Sequence, residues 1–231
     1  DEFVKELIKQ TESTNDRISS VALDTVGIMI TKYGDYKERF GESQEVVGTR
    51  LERLLGILMK GLSNYREVVS QEAFEVVGQY VFGSRDLTLE EKARIFQIIN
   101  KKMLTLLLDQ QESELAFYNN AASLNNIYRF IKEYQFHYGE FQANPLLKAA
   151  FFPGTFDPFS LSHKAIVQEI RDLGFEVYMA LDEFSWSKKT QPRMVRRKIM
   201  SMSVADERHV YLFPDSVPVN LANEQDLARL R

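Results

Sequence analysis

Within fourteen residues the chain places one imidazole, one carboxylate and several hydroxyls around a glycine: Ala150-Phe151-Phe152-Pro153-Gly154-Thr155-Phe156-Asp157-Pro158-Phe159-Ser160-Leu161-Ser162-His163. The apolar run before Gly154 reads as a buried strand. Turn residues follow at once, and apolar spacing of a helix begins near His163. A loop between a strand and a helix aims unpaired backbone N–H groups and the positive end of a helix dipole at one spot. That arrangement binds phosphate, and His163 would stand in the first turn of the helix beside it.

The rest of the chain has to position this loop. At 231 residues it can hold one large or two modest domains and bury a core without disulfides. Its 29 basic and 33 acidic side chains give a net charge of −4, so no global field draws it to nucleic acid or to an anionic membrane. Cysteine is absent, which removes thiolate metal sites and disulfide frameworks and fits a cytoplasmic location. Three histidines make a histidine-rich metal site an unpromising reading, and no metal ligands are assigned. There is no apolar run of membrane-spanning length and no signal-peptide pattern at the amino terminus. The chain begins at Asp1 rather than methionine, which points to excerpting or processing from something longer.

All six prolines lie at or after Pro145. That asymmetry marks a domain boundary in Glu140-Phe141-Gln142-Ala143-Asn144-Pro145, dividing the chain into 1–144 and 145–231. Upstream, Ile18, Val21, Ala22, Val26, Met29 and Tyr33 form one helical stripe, and Leu51, Leu54, Leu55, Leu58, Leu62 and Tyr65 another. Thr88 and Glu91 form a capping-box signature, followed by Ile95, Ile98, Ile99, Met103 and Leu106. Ile127, Phe130, Ile131 and Tyr134 make a last stripe that ends near Gly139. The expectation is an antiparallel bundle of five or six helices, a place for a protein partner or for self-association, without a catalytic pattern of its own.

Downstream the texture alternates. Strands are expected over 147–152, 175–181 and 209–213, helices over 161–173 and 192–205, and a helical tail over 219–231. Alternation of this kind gives parallel strands with ligand sites at their carboxyl ends. Arg193 and Arg196 read as a solvated basic face above a buried Met194, Ile199 and Met202, while His137 and His209 read as structural residues in apolar surroundings.

Pro-Gly-Thr-Phe-Asp-Pro-Phe-Ser-Leu-Ser-His resembles the first signature of the nucleotidylyltransferase superfamily, GGTFDPxHxGH or its variant with Thr for the first His. The segment Phe184-Ser185-Trp186-Ser187-Lys188-Lys189-Thr190-Gln191-Pro192, with Arg197 and Met200, is most similar to nicotinate or nicotinamide mononucleotide adenylyltransferases, over residues 147–231 only. The resemblance implies a Rossmann-like α/β fold, here with an incomplete parallel sheet. It also implies attack of a mononucleotide phosphate on the α-phosphorus of ATP, with release of pyrophosphate and with Mg²⁺ present, a step in NAD biosynthesis. It assigns His163 and Ser160 to catalysis, and Gly154, Thr155, Phe156, Asp157, Trp186, Lys188, Lys189 and Arg197 to the nucleotide. Backbone N–H groups around Thr155 and Phe156 would face phosphate where Gly154 admits close approach, and His163 would donate to phosphate oxygens as charge develops. Asp157 is read as shaping the loop.

Two positions depart from the signature: Ser160 stands where the family has His or Thr, and Ser162 where it has Gly. The late ISSTxxR signature has no counterpart. These departures keep two alternatives open, a non-catalytic nucleotide- or partner-binding module and a transfer to a different phosphate acceptor.

Overall fold

The computed structural model describes residues 2–35, 40–108, 119–141, 148–182 and 189–214. Among them the chain is mostly helical, with a small three-stranded parallel sheet. Six helices come first: α1 (Glu2–Thr11), α2 (Asp16–Thr31), α3 (Gln44–Leu62), α4 (Glu67–Val76), α5 (Leu89–Leu108) and α6 (Ala121–Tyr138). A π-helical turn, Val77–Phe82, continues α4. Then follow β1 (Lys148–Gly154), α7 (Leu161–Asp172), β2 (Phe175–Leu181), α8 (Arg193–Val204) and β3 (Val210–Leu212).

Local chemistry sets the helix ends. The Asn15 side chain accepts from the N–H groups of Arg17 and Ile18, and Ser43 accepts from Val46. The Thr88–Glu91 box forms as expected: Glu91 accepts from the Thr88 N–H at 2.8 Å, and Thr88 Oγ1 accepts from the Glu91 N–H at 3.2 Å. α6 stops at Gly139, whose φ of +82° is a left-handed value that suits glycine.

The helices bury one apolar core around Leu23, Leu51, Leu58, Phe74, Ile95 and Phe130. Leu51, Leu54, Leu55, Leu58 and Leu62 all face it, but Tyr65, assigned to the same stripe, is exposed. The α2 stripe is corrected more deeply. Ile18 and Val21 are exposed, and the buried face is Ser19, Ala22, Leu23, Val26, Gly27 and Ile30. Gly27 lets that face lie close to α4, since a Cβ there would come within 2.7 Å of Val76. The expected burial of Met194 and the apolar setting of His137 are also overturned, because both residues are exposed. The Leu106 side chain, Leu147, the boundary at 142–145 and the tail at 219–231 lie outside the described residues.

The sheet runs β1-β2-β3, with Phe152 paired to Met179 and Met179 to Leu212. Helix α7 packs on β2, and α8 packs on β2 and β3. Their second core contains Phe156, Val167, Val177, Met179, Met200 and Val210. Polar contacts join the two parts. Lys101 on α5 meets the buried Glu176 at 2.7 Å, Arg208 meets Glu52 at 2.5 Å, and Lys60 meets Asp206 at 3.2 Å. The neighbouring Lys102 is buried and donates to the carbonyls of Val204, at 2.8 Å, and Val210.

Candidate active site

The loop from Gly154 to Ser160 leaves β1 at its carboxyl end and enters α7. Gly154 pairs with Leu181, and its carbonyl accepts from the Asp182 N–H at 3.0 Å. The space beside Gly154 is filled by Phe156, since a Cβ at 154 would lie 2.8 Å from that ring. Glycine here admits an aromatic ring beneath the loop. Phe156 has a φ of +43°, costly for a residue with a side chain, and burial compensates for it: the ring is 5.5 Å from Phe152, 5.5 Å from Phe159 and 5.1 Å from His163, centroid to centroid. The Asp157–Pro158 peptide bond is cis.

At the helix start, Ser160 and His163 cap each other. Ser160 Oγ accepts from the His163 N–H at 3.4 Å, and His163 Nδ1 accepts from the Ser160 N–H at 3.0 Å. A backbone N–H can only donate, so Nδ1 is the acceptor and the neutral ring carries its proton on Nε2. Phe156 meets the imidazole edge to face, and the Phe159 ring lies 5.5 Å away. The N–H groups of Thr155, Phe156, Leu161 and Ser162 find no acceptor among the described residues. Those N–H groups and the Nε2–H are hydrogen-bond donors without a partner among the described residues.

Helix α8 braces the loop from the other side. Asp157 Oδ2 accepts from the Gln191 N–H at 3.1 Å. Arg196, expected on a solvated face, is 3% exposed; it donates to the Gln191 carbonyl at 2.9 Å and to the Thr155 carbonyl at 2.5 Å. Arg197, expected near a substrate phosphate, is 7% exposed and donates to the Phe213 carbonyl at 3.0 Å. Both arginines therefore hold backbone at the carboxyl ends of β1 and β3. Lys189 is exposed, and Trp186 and Lys188 lie outside the described residues.

The structure thus gathers Gly154, Thr155, Phe156, Asp157, Ser160 and His163 into one loop. Comparison with protein-family models, with curated proteins and with solved structures finds no match.

Arg196 and Gln191 were missed as loop residues. The available signal was the run of three arginines at the start of a helix facing an Asp-Pro turn, where one of them can turn inward to satisfy carbonyls that the turn leaves open.

Proposed function

We propose that the loop binds the phosphates of a nucleotide, and that the reaction it serves is adenylyl transfer from ATP to nicotinate or nicotinamide mononucleotide. The observation that carries this reading is the tautomer of His163: with Nδ1 occupied by the Ser160 N–H, its Nε2–H donor follows a turn at the carboxyl end of a parallel strand whose N–H groups at 155, 156, 161 and 162 have no acceptor among the described residues. In such a reaction the mononucleotide phosphate oxygen bonds to the α-phosphorus while the bond to pyrophosphate breaks. Negative charge grows on the leaving oxygens, and His163 would donate a hydrogen bond to them without forming a covalent link.

Arg196 would act through the backbone by holding Thr155, and the exposed Lys189 would attract the triphosphate. The sheet order supports this reading, because a parallel β1-β2-β3 order is also the order within one half of a doubly wound sheet. Among the described residues no three His, Asp or Glu side chains stand together to hold a metal. Magnesium would neutralise phosphate charge on the nucleotide.

One observation favours the second reading, a nucleotide-binding module without turnover: the Ser160 hydroxyl is engaged in the helix cap rather than facing a substrate. A single experiment separates the two. Wild type and His163→Ala are mixed with ATP, magnesium and either mononucleotide, and pyrophosphate and dinucleotide are followed. Removing one preorganised donor lowers turnover by about a hundredfold to a thousandfold. Dinucleotide formation at the same rate in both proteins overturns the assignment of His163. An ATP-induced rise in melting temperature without product favours the module, and neither product nor a thermal shift overturns the phosphate loop itself.

A further inference from the structure

We propose that the cavity between the helical part and the sheet is a second binding site, for a small organic acid carrying its charge on an apolar body. The cavity is about 410 Å³, within the range of small-molecule sites, and its walls come from α3, α5, β3 and the residues after α8. It lies away from the phosphate loop and does not depend on the reading of that loop.

One group in its wall calls for an anion, beside the carboxylates of Glu52, Asp206 and Glu207 and the guanidinium groups of Arg53, Arg171 and Arg208 that line the same cavity. Lys102 is buried, and as an ammonium it has three donors, two of which meet the Val204 and Val210 carbonyls. The third has no hydrogen-bond acceptor among the described residues, and the Tyr211 ring lies 5.7 Å from the amine. Both of its partners are neutral, and the nearby carboxylates of Asp206 and Glu207 are held by other cations: Lys60 and Lys164 on Asp206, Arg171 and Lys164 on Glu207. A buried cation without a contacting counter-ion is costly, and burial accordingly pushes this amine down to about 7.

His209 lines the cavity too, but its Nδ1 is buried and its nearest ionic oxygen is that of Glu176, 3.9 Å away and outside the cavity lining, so the demand for an anion rests on Lys102.

Leu55, Gly56, Met59 and Ile98 form the remaining apolar wall. A carboxylate or sulfonate would give Lys102 a counter-ion, while its organic body covered that wall. Inorganic phosphate would leave the wall uncovered, and a neutral apolar ligand would leave the ammonium uncompensated.

The test uses the full chain at pH 6.5, where the ammonium form predominates. The fluorescent aromatic sulfonate 8-anilinonaphthalene-1-sulfonate is titrated in and then displaced with 3-phenylpropionate or with 3-phenylpropan-1-ol, which share a body and differ in charge. The expected result is saturable one-site binding, with the acid displacing the probe about tenfold or more better than the alcohol. Gly56→Leu projects a side chain across the cavity towards Asp206, whose Cβ would lie 3.6 Å from the new Cβ, and should weaken probe binding about tenfold or more. Lys102→Met should abolish the preference for acid over alcohol. Equal displacement by acid and alcohol in wild type overturns the proposal without any variant. So does unaltered binding in a folded Gly56→Leu protein, or no saturation at millimolar probe.

Discussion

Raising the pH from 7.5 to 9.5 should stabilise this protein, and Lys102→Met should remove the part of that gain which Lys102 supplies. In the unfolded chain the amine titrates near its ordinary value of 10.5, whereas in the folded protein burial lowers it to about 7. Between those values the unfolded state binds a proton that the folded state does not, so stability rises with pH, by at most about 1.4 kcal/mol per unit. The contribution is complete above 10.5 and is lost as the pH falls through 7. Across the chosen window it amounts to about 2 kcal/mol. The neutral amine suits its surroundings, because it keeps two N–H donors for the two carbonyls of Val204 and Val210.

Other groups titrate mostly outside this window. Burial lowers His209 from 6.5, so its contribution is lost only as the pH falls into more acid conditions. Tyr178 is pushed up to about 12 and Tyr211 is raised further, both mainly by burial, so they oppose folding only above about pH 10. Lys92 is also lowered, mainly by burial, and adds a slope of the same sign that persists in the variant. The assay is urea unfolding followed by circular dichroism at several pH values. The difference in stability between wild type and Lys102→Met should widen by about 2 kcal/mol from pH 7.5 to 9.5. Parallel profiles for the two proteins refute the reasoning.

Two further substitutions test the packing of the helices and the bracing of the loop. Gly78→Ala would place a Cβ 2.3 Å from the Ser123 Cβ and 2.4 Å from its Cα, so α6 must move; a loss of about 1–3 kcal/mol by urea unfolding is expected, and an unchanged midpoint would show that the helices are not packed this closely. Arg196→Met leaves the Thr155 and Gln191 carbonyls without their donor, which should cost about 1–3 kcal/mol and reduce any ATP-induced rise in melting temperature; a full ATP shift would separate Arg196 from the loop.

The alternation of strand and helix in the second half was legible because hydrophobic period and glycine punctuation agree there: Gly154 and Gly174 each mark a strand boundary, and the sheet is parallel as expected. The Thr88–Glu91 cap was legible for a similar local reason. The buried face of α2 was not, because Ser19 and Gly27 bury themselves through small size while Ile18 and Val21 face outward, and an apolar stripe counts only large residues. The π turn at Val77–Phe82 leaves no periodic signature in six residues. At the site, the glycine of the loop was legible, but the Phe156 ring that fills the space beside Gly154 was not. Arg196 and Lys102 were invisible as buried groups because their partners are backbone carbonyls, which carry no residue identity.

Helix α8 has a mechanical role that follows from its two ends. Over twelve residues it spans about 18 Å. Near its start, Arg196 grips Thr155 of the loop after β1; at its finish, the Val204 carbonyl is gripped by Lys102 of the helical part. It is a strut bolted at both ends. The same twelve residues therefore tie the backbone of the loop before His163 to the helical part.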